Sequence, residues 1–280
     1  MQSCLRAAFV VCVVTGAPGV LAAQDAIEPD RPDVTNGTHI VDVGLLQVEM
    51  GGNYTHSSDH GDWSTPVTAR VGLTDWLEAR IGFDGLDTRT DGTDHQTGFG
   101  NMNVGAKIRL WADPGGIPVL SILPTVNLPT ADSTKGFGSG DFDYLLTFLT
   151  GTDLGRRLHV DVNYGIDSIG SGEGQPHFSQ QLVSASFSAA ATDNLNPYVE
   201  GYWFSREDAH GGSVTGMDAG AIYELGARYA VDGGLEVELN GASHDVSVFA
   251  GLSVVVGNIL GNHGVHARNR EIQRRRAAKH

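Results

Sequence analysis

Cysteine is nearly absent from the chain: its two cysteines, Cys4 and Cys12, both lie within the first twelve residues. Exported proteins often use an oxidising compartment to form disulfides, but residues 13–280 contain no cysteine to pair. A fold built from this region therefore does not depend on disulfides, and it offers no thiolate nucleophile and no cysteine-ligated metal site.

Long apolar runs are also missing. Arg6 is followed by a short apolar run at 7–14, by Gly-Ala-Pro-Gly, and by small residues up to Ala23. A transmembrane helix needs about 20 apolar residues, whereas one positive charge, a short apolar segment and small residues are typical of a secretory signal peptide. We therefore predict that residues 1–22 are a cleaved signal peptide and not a membrane anchor.

Positive charge is scarce, with 18 Lys and Arg against 33 Asp and Glu and a formal net charge of −15. Six of the basic residues lie in the tail 258–280, so the body of the chain is strongly acidic. An acidic body argues against nucleic acid as a partner. The basic tail is interpreted either as a disordered appendage or as a periplasmic extension that contacts peptidoglycan or anionic lipid.

What the chain has in abundance is alternation of apolar and polar residues with period 2. The pattern is clearest at 158–166 and 235–240, and no comparable helical stretch competes with it. Strict alternation of this kind predicts β-strands. Twelve segments carry it: 45–55, 64–73, 77–84, 100–111, 118–127, 142–150, 158–167, 180–189, 197–205, 217–230, 235–240 and 246–256.

The stretch RVGLTDWLEARIGFD, residues 70–84, fits two periods. A helix would place Arg80 on the same face as Trp76 and Leu77, a charge among apolar residues. Period 2 instead gathers Arg70, Glu78 and Arg80 on one side of two strands joined at 74–76. We therefore predict a hairpin here.

The connections between these segments alternate in length. Those at 74–76, 112–117, 151–157, 190–196 and 231–234 are short, and those at 56–63, 85–98, 128–141, 168–179 and 206–216 are longer and polar; 241–245 is the exception. Short periplasmic turns and longer external loops are typical of an outer-membrane β-barrel. The sequence therefore predicts an all-β, antiparallel transmembrane barrel of about 12 strands, with its N-terminus in the periplasm.

In such a barrel the apolar face contacts lipid and the polar face lines the lumen, whereas a secreted β-sandwich would reverse this assignment. Lumen residues either select solutes or brace the wall as cross-strand ion pairs, and the sequence leaves both roles open. The predicted lumen residues are Glu49, Arg70, Glu78, Arg80, Lys107, Arg109, Asp161, Glu224, Arg228, Glu236 and Glu238.

Other motifs predict no chemistry. The glycine-rich stretches 98–105 and 136–141 lack the helix of a nucleotide loop. The stretches 87–95 and 56–60 lack calcium-loop spacing, and His159 beside Asp161, or His244 beside Asp245, shows no recognisable triad spacing. We therefore predict no catalytic, cofactor or metal site. A barrel hydrolase would instead need a serine and a histidine within hydrogen-bond reach at one rim.

Five stretches in order also resemble a known family: EPDRPDVT (28–35), RVGLTDWLEARIG (70–82), GFGNMNVGAKIRL (98–110), LPTVNLPT (123–130) and VFAGLSVVV (248–256). They are similar to the outer-membrane transporter family named after the meta-pathway of phenol degradation. The resemblance spans residues 28–257 and implies an outer-membrane barrel with a role in transport, without catalytic residues. The chain departs from the usual pattern in its basic tail and in lacking a terminal aromatic residue.

Together these features divide the chain into a signal peptide (1–22), a periplasmic N-terminal segment (23–44), a β-barrel (45–257) and a basic tail (258–280). We predict a channel for small solutes, hydrophobic or aromatic compounds among them, in the outer membrane of a Gram-negative bacterium. The alternatives are a structural or adhesive barrel with a filled lumen, and a barrel hydrolase. The expected partners are outer-membrane lipid, small solutes and the outer-membrane assembly machinery, with no nucleic acid.

Overall fold

The computed structural model describes residues 27–32, 34–57, 60–92, 94–112, 118–172, 174–240 and 245–260. Its strands form one antiparallel sheet, which closes into a barrel because β1 pairs with β15. The strands are β1 (Leu45–His56), β2 (His60–Ser64), β3 (Val67–Gly72), β4 (Leu77–Phe83), β5 (Leu86–Asp91), β6 (Asp94–Phe99), β7 (Met102–Trp111), β8 (Val119–Leu128), β9 (Asp143–Leu154), β10 (Leu158–Ile169), β11 (Phe178–Ala189), β12 (Leu195–Phe204), β13 (Val214–Glu224), β14 (Tyr229–Glu238) and β15 (Val246–Asn258).

Six of the fifteen strands are halves of three longer wall strands. β2 continues into β3 across 65–66, β4 into β5 across 84–85, and β6 into β7 across 100–101. Gly85 allows one of these breaks, because its φ is +92° and a Cβ atom there would lie 1.9 Å from the carbonyl oxygen of Thr65. The wall therefore has twelve strands, and the predicted twelve-stranded antiparallel barrel is confirmed.

Two predicted loops are strands instead. The stretches 56–63 and 85–98 contribute β2, β5 and β6, which extend the wall on one side beyond the alternating apolar region. The sequence pattern missed them because these strands carry polar residues on both faces, as in Asp-Thr-Arg-Thr-Asp. A strand outside the hydrocarbon layer has no requirement for an apolar face, so it loses the period-2 signal.

One predicted turn is also misplaced. The chain turns at 225–228, and β14 runs straight through 231–234, where the sequence predicted the turn. Gly226 adopts the left-handed conformation in the true turn, with φ +81°. Gly234 has a different role: a Cβ atom there would lie 2.4 Å from the carbonyl oxygen of Ala219 on β13, so glycine permits close strand contact.

Burial is inverted relative to a soluble protein. The largest fully buried side chains include Arg70, Lys107 and Glu78, whereas Ile81 is 54% exposed and Leu235 is 56% exposed. A water-soluble sandwich would bury its apolar face. Charged groups inside and a continuous apolar surface outside are the arrangement of a membrane barrel.

The two ends of the barrel differ. At one end, the turn end, connections such as 73–76, 155–157 and 225–228 are short; at the other, the loop end, 129–142 and 205–213 are longer. By the usual rule for bacterial barrels the turn end faces the periplasm and the loop end faces outward. None of the described residues forms a helix long and apolar enough to cross a membrane.

Candidate functional site

The residues that precede β1 lie inside the barrel. The N-terminal segment, residues 27–32 and 34–43, contacts lumen-facing side chains of both halves of the wall. The sequence led us to expect residues 23–44 in the periplasm, so the described part of this segment differs from that expectation. The physical reason is the charge of the lumen, which offers partners to the backbone amides and to the acidic and basic side chains of the segment.

Four cations project into the lumen from adjacent wall strands: Arg70 from β3, Arg80 from β4, and Lys107 and Arg109 from β7. These three strands form the basic wall. Arg70 is fully buried, and its guanidinium contacts Glu49 at 2.6 Å and Glu78 at 2.9 Å. Buried charges of this kind persist only when they are paired and hydrogen-bonded.

Asp30 of the N-terminal segment completes this cluster. Its Oδ2 lies 2.7 Å from Lys107 Nζ and 2.8 Å from Arg80 Nη2. Arg70 Nη2 is 3.4 Å from the same oxygen. Burial by itself would raise the pKa of the Asp30 carboxyl, but the three neighbouring cations outweigh burial and hold the pKa far below its ordinary value. Asp30 is therefore an anion that links three cations of the wall.

The middle of the N-terminal segment reaches the opposite side of the lumen. The backbone amides of Val34 and Thr35 both donate to the carboxylate of Glu200 on β12, each at 3.0 Å. The hydroxyl of Thr35 also donates to Ser184 on β11, at 2.8 Å. A carboxylate that accepts two backbone amides forms charge-assisted hydrogen bonds. These contacts anchor the middle of the N-terminal segment to β11 and β12, on the side of the lumen opposite the basic wall.

The chain then returns along the basic wall. Lys107 Nζ donates to the carbonyl oxygen of Gly37 at 2.7 Å, and Arg80 donates to Asn36 at 3.0 Å. Closer to the turn end, the backbone amide of Val41 donates to Glu78 at 2.9 Å. The N-terminal segment therefore enters from the turn end, crosses the lumen from wall to wall and leads back into β1.

Charge is distributed unevenly around the lumen. Strands β8 to β15 contain no lysine or arginine, and every acidic residue on them lies at a lumen-facing position of the alternating pattern. These eight strands form the acidic wall. Arg31 of the N-terminal segment faces this wall and lies 3.4 Å from Asp232. The acidic residues are Asp143, Asp153, Asp161, Asp167, Glu200, Asp218, Glu224, Asp232, Glu236 and Glu238.

The eleven predicted lumen residues separate into three groups. Six of them form the cluster around the N-terminal segment, four lie on the acidic wall, and Arg228 lies in the turn 225–228 instead of on a strand. Their role in solute selection stays a prediction. The first group is Glu49, Arg70, Glu78, Arg80, Lys107 and Arg109; the second is Asp161, Glu224, Glu236 and Glu238.

Several important residues were not predicted as lumen residues. Glu200 lies on the polar face of the predicted strand 197–205, whereas Asp232 was missed because Asp-Gly-Gly at 232–234 was interpreted as a turn. Asp30 and Arg31 lie outside any strand pattern, and only their place in the family-like stretch EPDRPDVT marked them. Their partners, which are distant in sequence, are brought to them only by the closed barrel.

The remaining motifs stay within structural roles or lie outside the described residues. The stretch 87–95 is part of the β5–β6 hairpin, and His159 is held between Asp153 at 2.7 Å and Asp161 at 3.1 Å. Among the described residues no group of three or more acidic and histidine side chains is arranged to hold a metal ion. Outside the described residues lie His244, residues 58–59 of the 56–60 motif, the predicted signal peptide (1–22) and tail residues 261–280.

Comparison with known protein families matches residues 29–256 to the family described as "Putative MetA-pathway of phenol degradation". The match covers most of the chain. The chain belongs to this family. The family resemblance noted in the sequence is thereby confirmed, and no curated protein matches the chain.

Two solved structures support the same architecture. The COG4313 outer membrane channel from Pseudomonas putida F1 is 14% identical, with a TM-score of 0.62, over 82% of this chain and 99% of that one. The NanC porin is 12% identical, with a TM-score of 0.54, over 75% of this chain and 100% of that one. These identities establish the fold alone, that of an outer-membrane channel or porin barrel, which supports an outer-membrane location. These two structures are a channel and a porin, not enzymes.

Proposed function

We propose that this member of the family is an outer-membrane channel for small solutes, in which the N-terminal segment narrows the half of the lumen nearer the periplasm. The observation that carries the proposal is that the N-terminal segment contacts the barrel wall through polar groups. The segment is held by hydrogen bonds and ion pairs such as Asp30 to Lys107 and Thr35 to Glu200. Contacts of this kind can open and close without unfolding the barrel wall.

The loop end of the barrel offers an outer entrance to the same lumen. A cavity of about 410 Å³ lies there on the lumen side of β1, β2 and β5, lined among others by Asp62, Arg89 and Phe137. Asp62 and Arg89 are cross-strand neighbours, and the Arg89 guanidinium lies 5.9 Å from the centre of the Phe137 ring. This volume is within the size range of small-molecule sites.

Small neutral compounds, aromatic ones among them, are the proposed solutes. The family description points to aromatic degradation. The acidic wall disfavours anions by electrostatic repulsion, whereas a neutral solute is governed by the size of the path. Under this proposal the protein carries out no covalent chemistry as part of transport.

The proposed setting follows from the barrel type. A signal peptide at residues 1–22 would direct export and be cleaved, the assembly machinery of the outer membrane would insert the strands, and lipid would surround the apolar surface. Exposed Trp63, Trp76 and Trp111 suit the two membrane interfaces, where aromatic side chains concentrate.

The proposal is tested by the electrical behaviour of purified protein in planar bilayers. Wild-type protein should show discrete conductance steps, and a variant lacking residues 27–40 should show larger steps. Folding of both proteins is checked by heat-modifiable migration on gels. If both folded proteins leave the bilayer silent, the channel proposal is wrong.

A structural or adhesive barrel is the second candidate, because the N-terminal segment spans the lumen from Lys107 to Glu200. A permanently filled lumen predicts a silent wild-type protein beside a conducting deletion variant. Liposome swelling with phenol-sized neutral solutes separates the two functions in the same preparations. Only the channel function predicts that phenol-sized neutral solutes enter liposomes that contain the wild-type protein.

A further inference from the structure

Three polar side chains meet on the outer surface of the barrel at the loop end. Ser168 Oγ lies 3.2 Å from Nδ1 of His177, and Nε2 of the same ring lies 3.3 Å from Oδ2 of Asp141. A hydroxyl on one ring nitrogen and a carboxylate on the other is the arrangement that activates serine nucleophiles. A barrel hydrolase needs a serine and a histidine within hydrogen-bond reach at one rim. Ser168 and His177 meet this requirement, although no sequence motif indicated them.

The neighbouring strands bring these residues together. Ser168 is the second-last residue of β10, His177 immediately precedes β11, and Asp141 precedes β9 by two residues. Because β9, β10 and β11 are consecutive in the wall, their loop ends are adjacent. In the register, Ser168 lies between Tyr144 of β9 and Ser179 of β11.

The histidine and the aspartate are both oriented by further contacts. The His177 ring stacks on Tyr144 with centroids 6.1 Å apart. The backbone amide of Asp141 donates to Ser139 Oγ at 3.2 Å, and the amide of Phe142 donates to Asp141 Oδ1 at 2.8 Å. The second carboxylate oxygen of Asp141 is thus directed to His177. The ring remains 29% exposed, so a substrate can approach it.

We propose that Ser168, His177 and Asp141 form a second functional site, with esterase activity, on the outer face of the barrel. Ser168 Oγ attacks the carbonyl carbon of an ester, and its proton passes to Nδ1 of His177. The protonated ring then gives this proton to the departing alkoxide, which leaves as an alcohol. Asp141 is the positioning residue, because its carboxylate accepts Nε2–H and keeps Nδ1 free to act as the base.

Water completes the cycle. It attacks the acyl-Ser168 carbonyl while His177 Nδ1 takes one of its protons. The C–O bond to Ser168 then breaks, the serine oxygen regains a proton from the ring, and a carboxylic acid is released. The net reaction consumes one ester and one water and requires no metal or redox partner.

The surface around Ser168 indicates the class of substrate. Lumen-facing Asp167 is buried, whereas outward-facing Tyr164 and Ile166, directly below Ser168 on β10, are 40% and 46% exposed. Tyr144 and Phe142 stack beside the site with centroids 6.4 Å apart. Aromatic residues at this level mark the membrane interface. An ester with a long acyl chain fits this surface, because its chain lies on the apolar wall while its carbonyl reaches Ser168.

The test uses full-length protein in detergent micelles, with p-nitrophenyl esters of short and long acyl chains and with phosphatidylcholine in mixed micelles. We expect hydrolysis that favours long chains, and labelling of Ser168 by a fluorophosphonate probe, located by mass spectrometry. Phosphatidylcholine hydrolysis indicates a lipid of the membrane as substrate. Hydrolysis of the p-nitrophenyl esters alone indicates an ester that arrives from outside.

Variants identify the residues that act. Ser168→Ala should abolish both hydrolysis and labelling, and His177→Gln should lower the rate by roughly 10²–10⁴-fold. Asp141→Asn should lower kcat with little change in KM. The matched control is Ser179→Ala, the same change on the same face of the adjacent strand, which should behave as wild type.

Conductance and heat-modifiable migration verify that each variant is folded, and Ser168→Ala should leave the conductance unchanged. The esterase proposal is overturned if folded wild-type protein neither hydrolyses these esters nor reacts with the probe. It is equally overturned if Ser168→Ala retains wild-type activity.

Discussion

Asp30 and Arg31 are adjacent in the chain, and their side chains reach opposite walls of the barrel. The Asp30 carboxylate lies 2.7 Å from Lys107 on β7, and the Arg31 guanidinium lies 3.4 Å from Asp232 on β14. The acid thus faces the basic wall and the base faces the acidic wall. This complementarity determines where the N-terminal segment sits in the lumen.

Replacing Asp30 by asparagine should loosen the N-terminal segment and increase the conductance of the channel. The change leaves Lys107 without the carboxylate of Asp30. Removing one partner of a buried ion pair lowers stability by about 3–5 kcal/mol. Single-channel recording measures the effect. Asp132→Asn is the matched control, since Asp132 pairs with Lys135 at 3.0 Å in an exposed loop, and it should leave the conductance unchanged. Equal conductance of Asp30→Asn and wild type would show that this contact does not restrict the pore.

The contribution of Asp30 to holding the N-terminal segment should not change between pH 7 and pH 5. Its pKa in the folded protein lies well below the ordinary 3.8, so its stabilisation is complete above that ordinary value and is lost only as pH falls towards the folded pKa. The conductance ratio of Asp30→Asn to wild type is the measurement. It should stay constant down to pH 5 and approach unity only in stronger acid. A ratio that approaches unity already at pH 6 would contradict this assignment.

A charged residue introduced on the lipid-facing surface should destabilise the barrel more than one introduced in the lumen. Ile81 on β4 is 54% exposed on the outer surface, and Ile81→Lys should destabilise the barrel by up to about 2–4 kcal/mol, depending on depth. Thr68→Lys is the control, because Thr68 pairs with Glu49 in the lumen-facing register of β1 and β3. Urea unfolding in lipid vesicles compares the two. Equal losses would contradict the assignment of faces.

Arg70 should be the most costly cation to remove. Arg70→Met leaves the buried carboxylates of Glu49 and Glu78 without their shared partner, with an expected loss of about 3–5 kcal/mol in the free energy of unfolding. Arg89→Met is the control, since Arg89 is half exposed and lies 3.6 Å from Asp62; an exposed pair contributes about 1 kcal/mol or less. Urea unfolding again gives the two values, and similar losses would show that the Arg70 cluster adds little stability.

The open channel should prefer cations. The acidic wall carries ten carboxylates and no lysine or arginine, and fixed negative charge raises the local concentration of cations. Reversal potentials in a KCl gradient should therefore indicate a permeability ratio of K⁺ to Cl⁻ above one. Asp218→Asn combined with Glu236→Gln should reduce the ratio, whereas Asp208→Asn in an outer loop should not. An anion-selective wild type would contradict this prediction.

The alternating pattern predicted the wall because lipid imposes it residue by residue. Every second side chain from Leu77 to Phe83 must be apolar to face hydrocarbon, so the hairpin at 70–84 and the number of wall strands could be predicted from the sequence. The same pattern failed where lipid ends: β2, β5 and β6 lie beyond the apolar band, and the Asp-Gly-Gly at 232–234 resembles a turn although it lies within β14.

The alternation along the chain was sufficient to predict twelve membrane-crossing strands, the closed sheet that they require in a membrane, and the charged character of the lumen face. Which of these charges meet depends on the tertiary structure. Asp30 and Lys107 are 77 residues apart. Asp141 precedes β9, Ser168 lies at the end of β10 and His177 precedes β11, so no local periodicity relates them. Closing the barrel sets their distances, because the strand register determines which loop ends and which lumen side chains become neighbours.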